Sequence, residues 1–86
     1  MIKSIKLTEP QWENLKLKLR EDYSPSTILI RDKMQRVLGF VNRTHTDWIN
    51  GRYRTIICLD FYDKHKRTMF LLKYSEYISK ELQDND

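Results

Sequence analysis

Between Phe40 and Phe61 the chain reads FVNRTHTDWI-NG-RYRTIICLDF. Two runs of ten residues flank Asn50-Gly51, the dipeptide that best tolerates the two positive φ angles of a type I′ turn, so the stretch predicts a β-hairpin. Along its second arm Tyr53, Thr55, Ile57, Leu59 and Phe61 alternate with Arg54, Ile56, Cys58 and Asp60, the period of a strand. From Ile56 to Leu59 both sides are apolar. That pattern predicts a central strand with at least partial cover on each face.

Downstream, Tyr62 to Arg67 reads as a polar loop. Thr68 to Tyr74 reads as a third strand with Phe70, Leu72 and Tyr74 on one side. Ser75 is placed to cap a short last helix with Tyr77, Ile78 and Leu82 as its apolar positions, and residues 82–86 read as a frayed tail.

Upstream, two helices are expected. Thr8-Glu9-Pro10-Gln11 carries a hydroxyl cap, an early acid, a first-turn proline and a Gln that can reach back to the cap. Trp12, Leu15, Leu19 and Tyr23 then form one apolar stripe over a helix at 9–22, and Leu17 off that stripe suggests a wider buried face. Ser24-Pro25 opens a second helix at 25–38. Ile30, Met34, Val37 and Leu38 line it, and Gly39 stands where a left-handed ending is wanted. The short link between the helices implies an αα-hairpin. Residues 2–7 are a weaker candidate for a first strand. The expected fold is a single two-layer α+β domain over 1–86, a helical hairpin packed on a three-stranded antiparallel sheet that residues 2–7 would extend to four.

Composition narrows the function classes. The chain has 86 residues, of which 40% are hydrophobic and 12% aromatic, too apolar for a disordered polymer. Its single cysteine excludes an internal disulfide and a thiolate zinc cage. Cys58 lies within an apolar run and reads as a small buried hydrophobe in a reducing compartment, the cytoplasm of a host cell. Apolar runs as short as Ile28-Leu29-Ile30, none longer than four residues, cannot make a membrane span, so no membrane partner is expected.

The net charge of +4 is unevenly distributed. Residues 31–67 hold nine Lys and Arg against four acids, whereas residues 75–86 are net acidic. Arg31, Lys33 and Arg36 fall on the second helix. Arg43, Arg52, Arg54 and Lys73 fall on the expected strands, where several can share a solvated face. Lys64, Lys66 and Arg67 surround His65 in the expected loop. This surface offers cations for phosphates, with Trp48, Tyr53 or Tyr62 near enough to stack, or it solubilises a small core. Trp12 belongs to the helix stripe and the core. Trp48, just before the turn, either caps the sheet or stands exposed as an interface anchor.

Nothing marks a catalytic or metal site. His45 and His65 each have an Asp two residues away, and two ligands do not hold a metal. The two glycines have structural explanations and form no phosphate loop. Glu21-Asp22 reads as a solvated helix end. No cofactor and no small-molecule substrate is indicated.

Two helices followed by an antiparallel meander, with the stretch Gly51-Arg52-Tyr53-Arg54-Thr55-Ile56-Ile57-Cys58-Leu59-Asp60 as its middle strand, resemble the RelE/ParE toxin superfamily, which includes ribosome-dependent mRNA interferases. The resemblance implies that Lys73, Tyr74 and Tyr77 would serve the reaction, although here the C-terminus turns acidic. A winged helix, with 25–38 as recognition helix and Asn50-Gly51 at the wing tip, is a further expectation. The leading expectation is a non-enzymatic binding module, of the small accessory or regulatory kind that phages and mobile elements encode. It would act on a protein partner through Arg31, Lys33, Arg36, Arg43, Trp48, Arg52, Arg54, Lys64, Lys66 and Arg67. A nucleic-acid binder using the second helix and the hairpin is the alternative, and a toxin-like RNase the enzymatic one. Exposed edge strands could also pair in a homodimer.

Overall fold

The computed structural model describes residues 3–78. The expected tail at 82–86, and Leu82 of the expected last helix, lie outside them. The fold is α+β, with a three-stranded antiparallel sheet of order β1-β3-β2 and helices packed against it.

Residues 2–7 do contribute a strand. β1 (Ile5–Thr8) pairs with β3 (Arg52–Phe61), from Ile5 opposite Leu59 to Thr8 opposite Ile56. β2 (Phe40–Ile49) pairs along the other side of β3, from Phe40 opposite Phe61 to Ile49 opposite Arg52. Asn50 (φ 53°) and Gly51 (φ 78°) close the hairpin with the two positive angles its sequence predicts. β3 is therefore central, and Ile56, Ile57, Cys58 and Leu59 are all buried. Ile57, Leu59 and Phe61 join the main core with Ile5, Leu7 and Phe40. On the reverse face Cys58 has Lys6 and Arg43 as its register partners, so long side-chain stems flank it.

α1 (Glu9–Asp22) begins as expected. Thr8 Oγ1 accepts from Gln11 N, and Gln11 Oε1 accepts from Thr8 N at 2.9 Å, the two halves of a capping box. Trp12, Leu15 and Leu19 enter the core, but Leu17 is exposed, so the buried face is the narrow stripe alone.

The expected helix 25–38 is two helices. α2 (Ser26–Leu29) ends at Ile30, whose φ of −109° and ψ of 115° are extended, and α3 (Arg31–Leu38) starts anew. No side chain caps α2; Ser24 instead turns the chain through its carbonyl, which accepts from Thr27 N at 2.9 Å. The break divides the expected apolar face. Met34 and Leu38 are buried, while Ile30 and Val37 are exposed. Gly39, at φ 86°, ends α3 in the left-handed conformation.

The largest correction falls on 62–74. The expected loop and third strand form one helix, α4 (Lys64–Tyr74). Asp63 caps it by accepting from His65 N at 2.7 Å and Lys66 N at 3.2 Å. Phe70 and Tyr74, four residues apart, are buried, but Leu72 between them is 75% exposed. The spacing of buried side chains is thus helical, and the period-two reading of Phe70, Leu72 and Tyr74 fails at Leu72. The third strand of the sheet is β1 instead. A short 3-10 turn, Ser75–Tyr77, follows in place of the expected last helix.

Phe40, Phe61, Phe70 and Tyr74 make a chain of ring contacts with centroids 4.9–5.3 Å apart along Phe61–Phe40–Phe70–Tyr74, tying sheet to α4. Trp12 meets Phe40 edge-on from α1 at 6.5 Å.

Candidate functional site

The cations expected to form one surface fall into three places. On the helical side, Lys33 Nζ donates to Ser26 Oγ at 2.6 Å, bracing α3 against α2, and Arg36 Nε reaches Asp32 O at 3.4 Å. Arg31 is exposed at the start of α3. Lys66 is structural as well as basic: its ammonium donates to the carbonyls of Arg36 and Val37, each at 3.3 Å. Those carbonyls belong to the last turn of α3, where a positive charge is favoured. Arg67 turns away and donates from Nε to Lys3 O at 2.8 Å. Lys64 is exposed at the α4 N-terminus.

On the reverse face of the sheet, Arg43 forms a fork with Asp60, at 2.9 Å from Nε to Oδ2 and 3.3 Å from Nη2 to Oδ1. Ser4 Oγ also donates to Asp60. The Arg43 bond, then the Ser4 bond, hold the Asp60 carboxyl below the usual range against the opposing effect of burial, so this pair is largely self-neutralised. His45 and Asp47 share that face at 2.6 Å. Among the described residues, no group of His, Cys, Asp and Glu could hold a metal. Burial raises the Cys58 thiol above its ordinary pKa, which suits a packing residue.

The third place is the closed end of the hairpin. Arg52 and Arg54 are exposed there, and so are Trp48 (63%) and Tyr53 (72%). Trp48 does not cap the sheet core; it stands edge-on to Tyr53 with centroids 4.7 Å apart. Tyr62, exposed, lies at the opposite end of β3. Lys73, expected on a strand beside these arginines, sits on α4 instead, over the rings of Tyr23 and Tyr74.

The residues implied by the toxin resemblance are engaged elsewhere. Tyr74 is buried, and its hydroxyl donates to Asp22 Oδ2 at 2.8 Å. Burial, and then that bond, push the hydroxyl's pKa upward, keeping it a proton donor. Asp22 is accordingly no free helix end. Tyr77 is half-buried against the core.

One feature escaped the sequence reading. Between α3 and α4 runs a groove of about 530 Å³. Val37 and Leu38 form one wall, and Met69, Phe70 and Leu72 the other. Met69 is 59% exposed, Leu72 more so, and Val37 is exposed as well. His65, Lys66 and Lys73 also line the groove, and among the described residues no acid does. The signal was present as Met69-Phe70-Leu71-Leu72: on a helix, four consecutive apolar residues cannot all face one core. His65, Met69 and Leu72, at i, i+4 and i+7, form a second stripe beside the Phe70–Tyr74 stripe.

No helix among the described residues is long and apolar enough to cross a membrane. No protein-family model, no curated protein and no solved structure matches the chain.

Proposed function

We propose that this chain is a protein-binding module whose α3–α4 groove takes an acidic amphipathic helix of a partner protein. The groove carries the reading. Each wall is apolar and partly exposed, and among the described residues every ionisable side chain lining the groove other than tyrosine is basic or imidazole. A small domain that leaves Met69 and Leu72 in water loses burial it could otherwise gain, and a partner helix would recover it. Methionine and leucine adapt to a helix's side-chain ridges, and glutamates along the partner's flanks would meet Lys66, Lys73 and His65.

The reading retains a protein partner and moves the principal contact from the hairpin to the helices. Of the basic excess of residues 31–67, the reading uses Lys66 at the groove, beside His65. No catalytic step is part of it.

The test uses a photo-reactive amino acid in place of Met69, irradiated in the native host with and without nuclease. An acidic, amphipathic cross-linked segment, nuclease-insensitive and lost with Leu72→Lys, is the expected result. Cross-links that are absent, basic in sequence or nuclease-sensitive would overturn the reading.

A further inference from the structure

β1 covers β3 only from Ile56 to Leu59. Beyond that point the pairs from Thr46 opposite Thr55 to Ile49 opposite Arg52 form a two-stranded ribbon with no third strand beside it among the described residues. A bare ribbon is marginal in water and needs cross-strand side-chain contacts to hold it. Here the contact is Trp48 on Tyr53, directly opposite in register, with planes inclined at 76°. The pair stiffens the ribbon without burying either ring. In an edge-to-face pair at most one ring offers its face to the other, so aromatic faces remain open to a third planar group.

The charges on the ribbon are sorted. Asp47 is engaged by His45, and Asp60, farther down the sheet, by Arg43. Arg52 and Arg54, two residues apart on one strand face, form no ion pair among the described residues. With Asn50 and Tyr53 they line a recess of about 440 Å³ beside the turn. Trp48 and Tyr53 lie on the core-side face of the ribbon and Arg52 and Arg54 on its reverse face, and Tyr53 shares the recess with the two guanidinium groups and Asn50, so aromatic and basic groups adjoin around the end of the ribbon. Guanidinium groups match phosphate oxygens in a fork, and aromatic rings match bases irrespective of sequence.

We propose that the end of this ribbon binds single-stranded nucleic acid that passes around it, bases stacking on Trp48 and Tyr53 on one face while Arg52 and Arg54 hold adjoining phosphates on the other. A duplex fits less well, because its base faces are already occupied by stacking and only the phosphates would be reached. The site is separate in sequence from the α3–α4 groove and does not depend on the groove's occupant.

The two tryptophans make the test direct. Trp12 is 6% exposed and serves as an internal reference, whereas Trp48 is in water. Titration of the full chain with a short oligothymidylate at low salt should quench the solvent-exposed emission and leave the buried component. With two phosphates neutralised, log affinity should fall against log salt with a slope of about −1.4. Trp48→Ala should weaken binding about tenfold or more, measured by anisotropy of a labelled oligonucleotide. Trp48→Phe should retain most of the affinity, and Arg52→Ala with Arg54→Ala should abolish the salt dependence. Circular dichroism of each variant checks that it is folded. No quenching at low salt, equal binding of duplex, or undiminished binding by folded Trp48→Ala would overturn the proposal. So would quenching by an acidic peptide alone, which would make the ribbon a protein contact.

Discussion

The Tyr74 hydroxyl and the Asp22 carboxylate, 52 positions apart, meet at 2.8 Å and pin the last turn of α4 to the last turn of α1. Lys73 approaches the same carboxylate at 3.9 Å, and Lys18 at 3.7 Å. The carboxylate thus holds a helix end, a tyrosine and two ammonium groups together. Tyr74→Phe keeps the buried ring and deletes only the donor. It should lower the melting temperature by several degrees, whereas Tyr74→Ala should prevent stable folding by also emptying the ring's site.

Acid should act through the same carboxylate and through Asp60. The Tyr74 bond, aided by Lys18 and Lys73, lowers the Asp22 pKa, and the Arg43 bond lowers that of Asp60. In each case the folded value lies below the unfolded one. The stabilisation is therefore present above the unfolded carboxylate range, about 4, and is lost as pH falls through the folded values. Urea midpoints should be flat from neutrality to about pH 5 and decline below about pH 4. Asp60→Asn should make that decline shallower while lowering the neutral-pH midpoint.

Gly39 and Lys66 should be energetically coupled. A Cβ on Gly39 would lie 2.5 Å from Lys66 Cδ and 2.8 Å from Lys66 Cβ, and the residue's φ is 86°. Gly39→Ala should cost about 1–3 kcal/mol in urea unfolding, from the left-handed backbone and the clash together. In a Lys66→Ala background the clash with Cδ disappears and the backbone strain stays. The double variant should accordingly lose less than the sum of the singles. Strict additivity would mean that the strain lies in the backbone and in the contact with the position-66 Cβ, which alanine retains.

Helix and strand readings of residues 68–74 make opposite demands on Leu72. On a strand it would share the buried face with Phe70 and Tyr74; on α4 it stands in water. Phe70→Ala should cost about 3–5 kcal/mol, whereas Leu72→Lys should change stability by about 0.5 kcal/mol or less. The same Leu72→Lys should abolish partner binding. Equal losses at 70 and 72 would contradict the helix.

The contrast between these residues shows where the sequence was informative. The first helix and the hairpin were legible because their signals are local: a Thr8–Gln11 capping box, and two residues able to take positive φ. α4 was obscured by its own N-terminus. Lys64, Lys66 and Arg67 put positive charge where the helix dipole disfavours it, and Asp63 carries the compensating cap. Its apolar residues also serve two faces, one in the core and one in the groove, so no single period emerges. β1 was faint because four residues with two buried side chains carry little pattern, and its partner lies about fifty residues away. The break at Ile30 has no glycine or proline to announce it. Of the candidate site, the Trp48–Arg54 cluster was legible because neighbours in a hairpin are near in sequence. The groove was not, since it exists only once α3 and α4 are side by side.

The placement of β1 also orders events during synthesis. Ile5 to Thr8 leave the ribosome well before the strand they pair with, which ends only at Phe61. Until then α1 has no sheet to pack against, and its Trp12–Leu15–Leu19 stripe must wait in contact with whatever shields nascent chains. The hairpin, built from neighbours, can close as soon as it emerges, and β1 then docks on its open side as a long-range step. Folding should therefore be limited by capture of the N-terminal strand, and a chain lacking its first eight residues should present the β3 edge to other chains and aggregate.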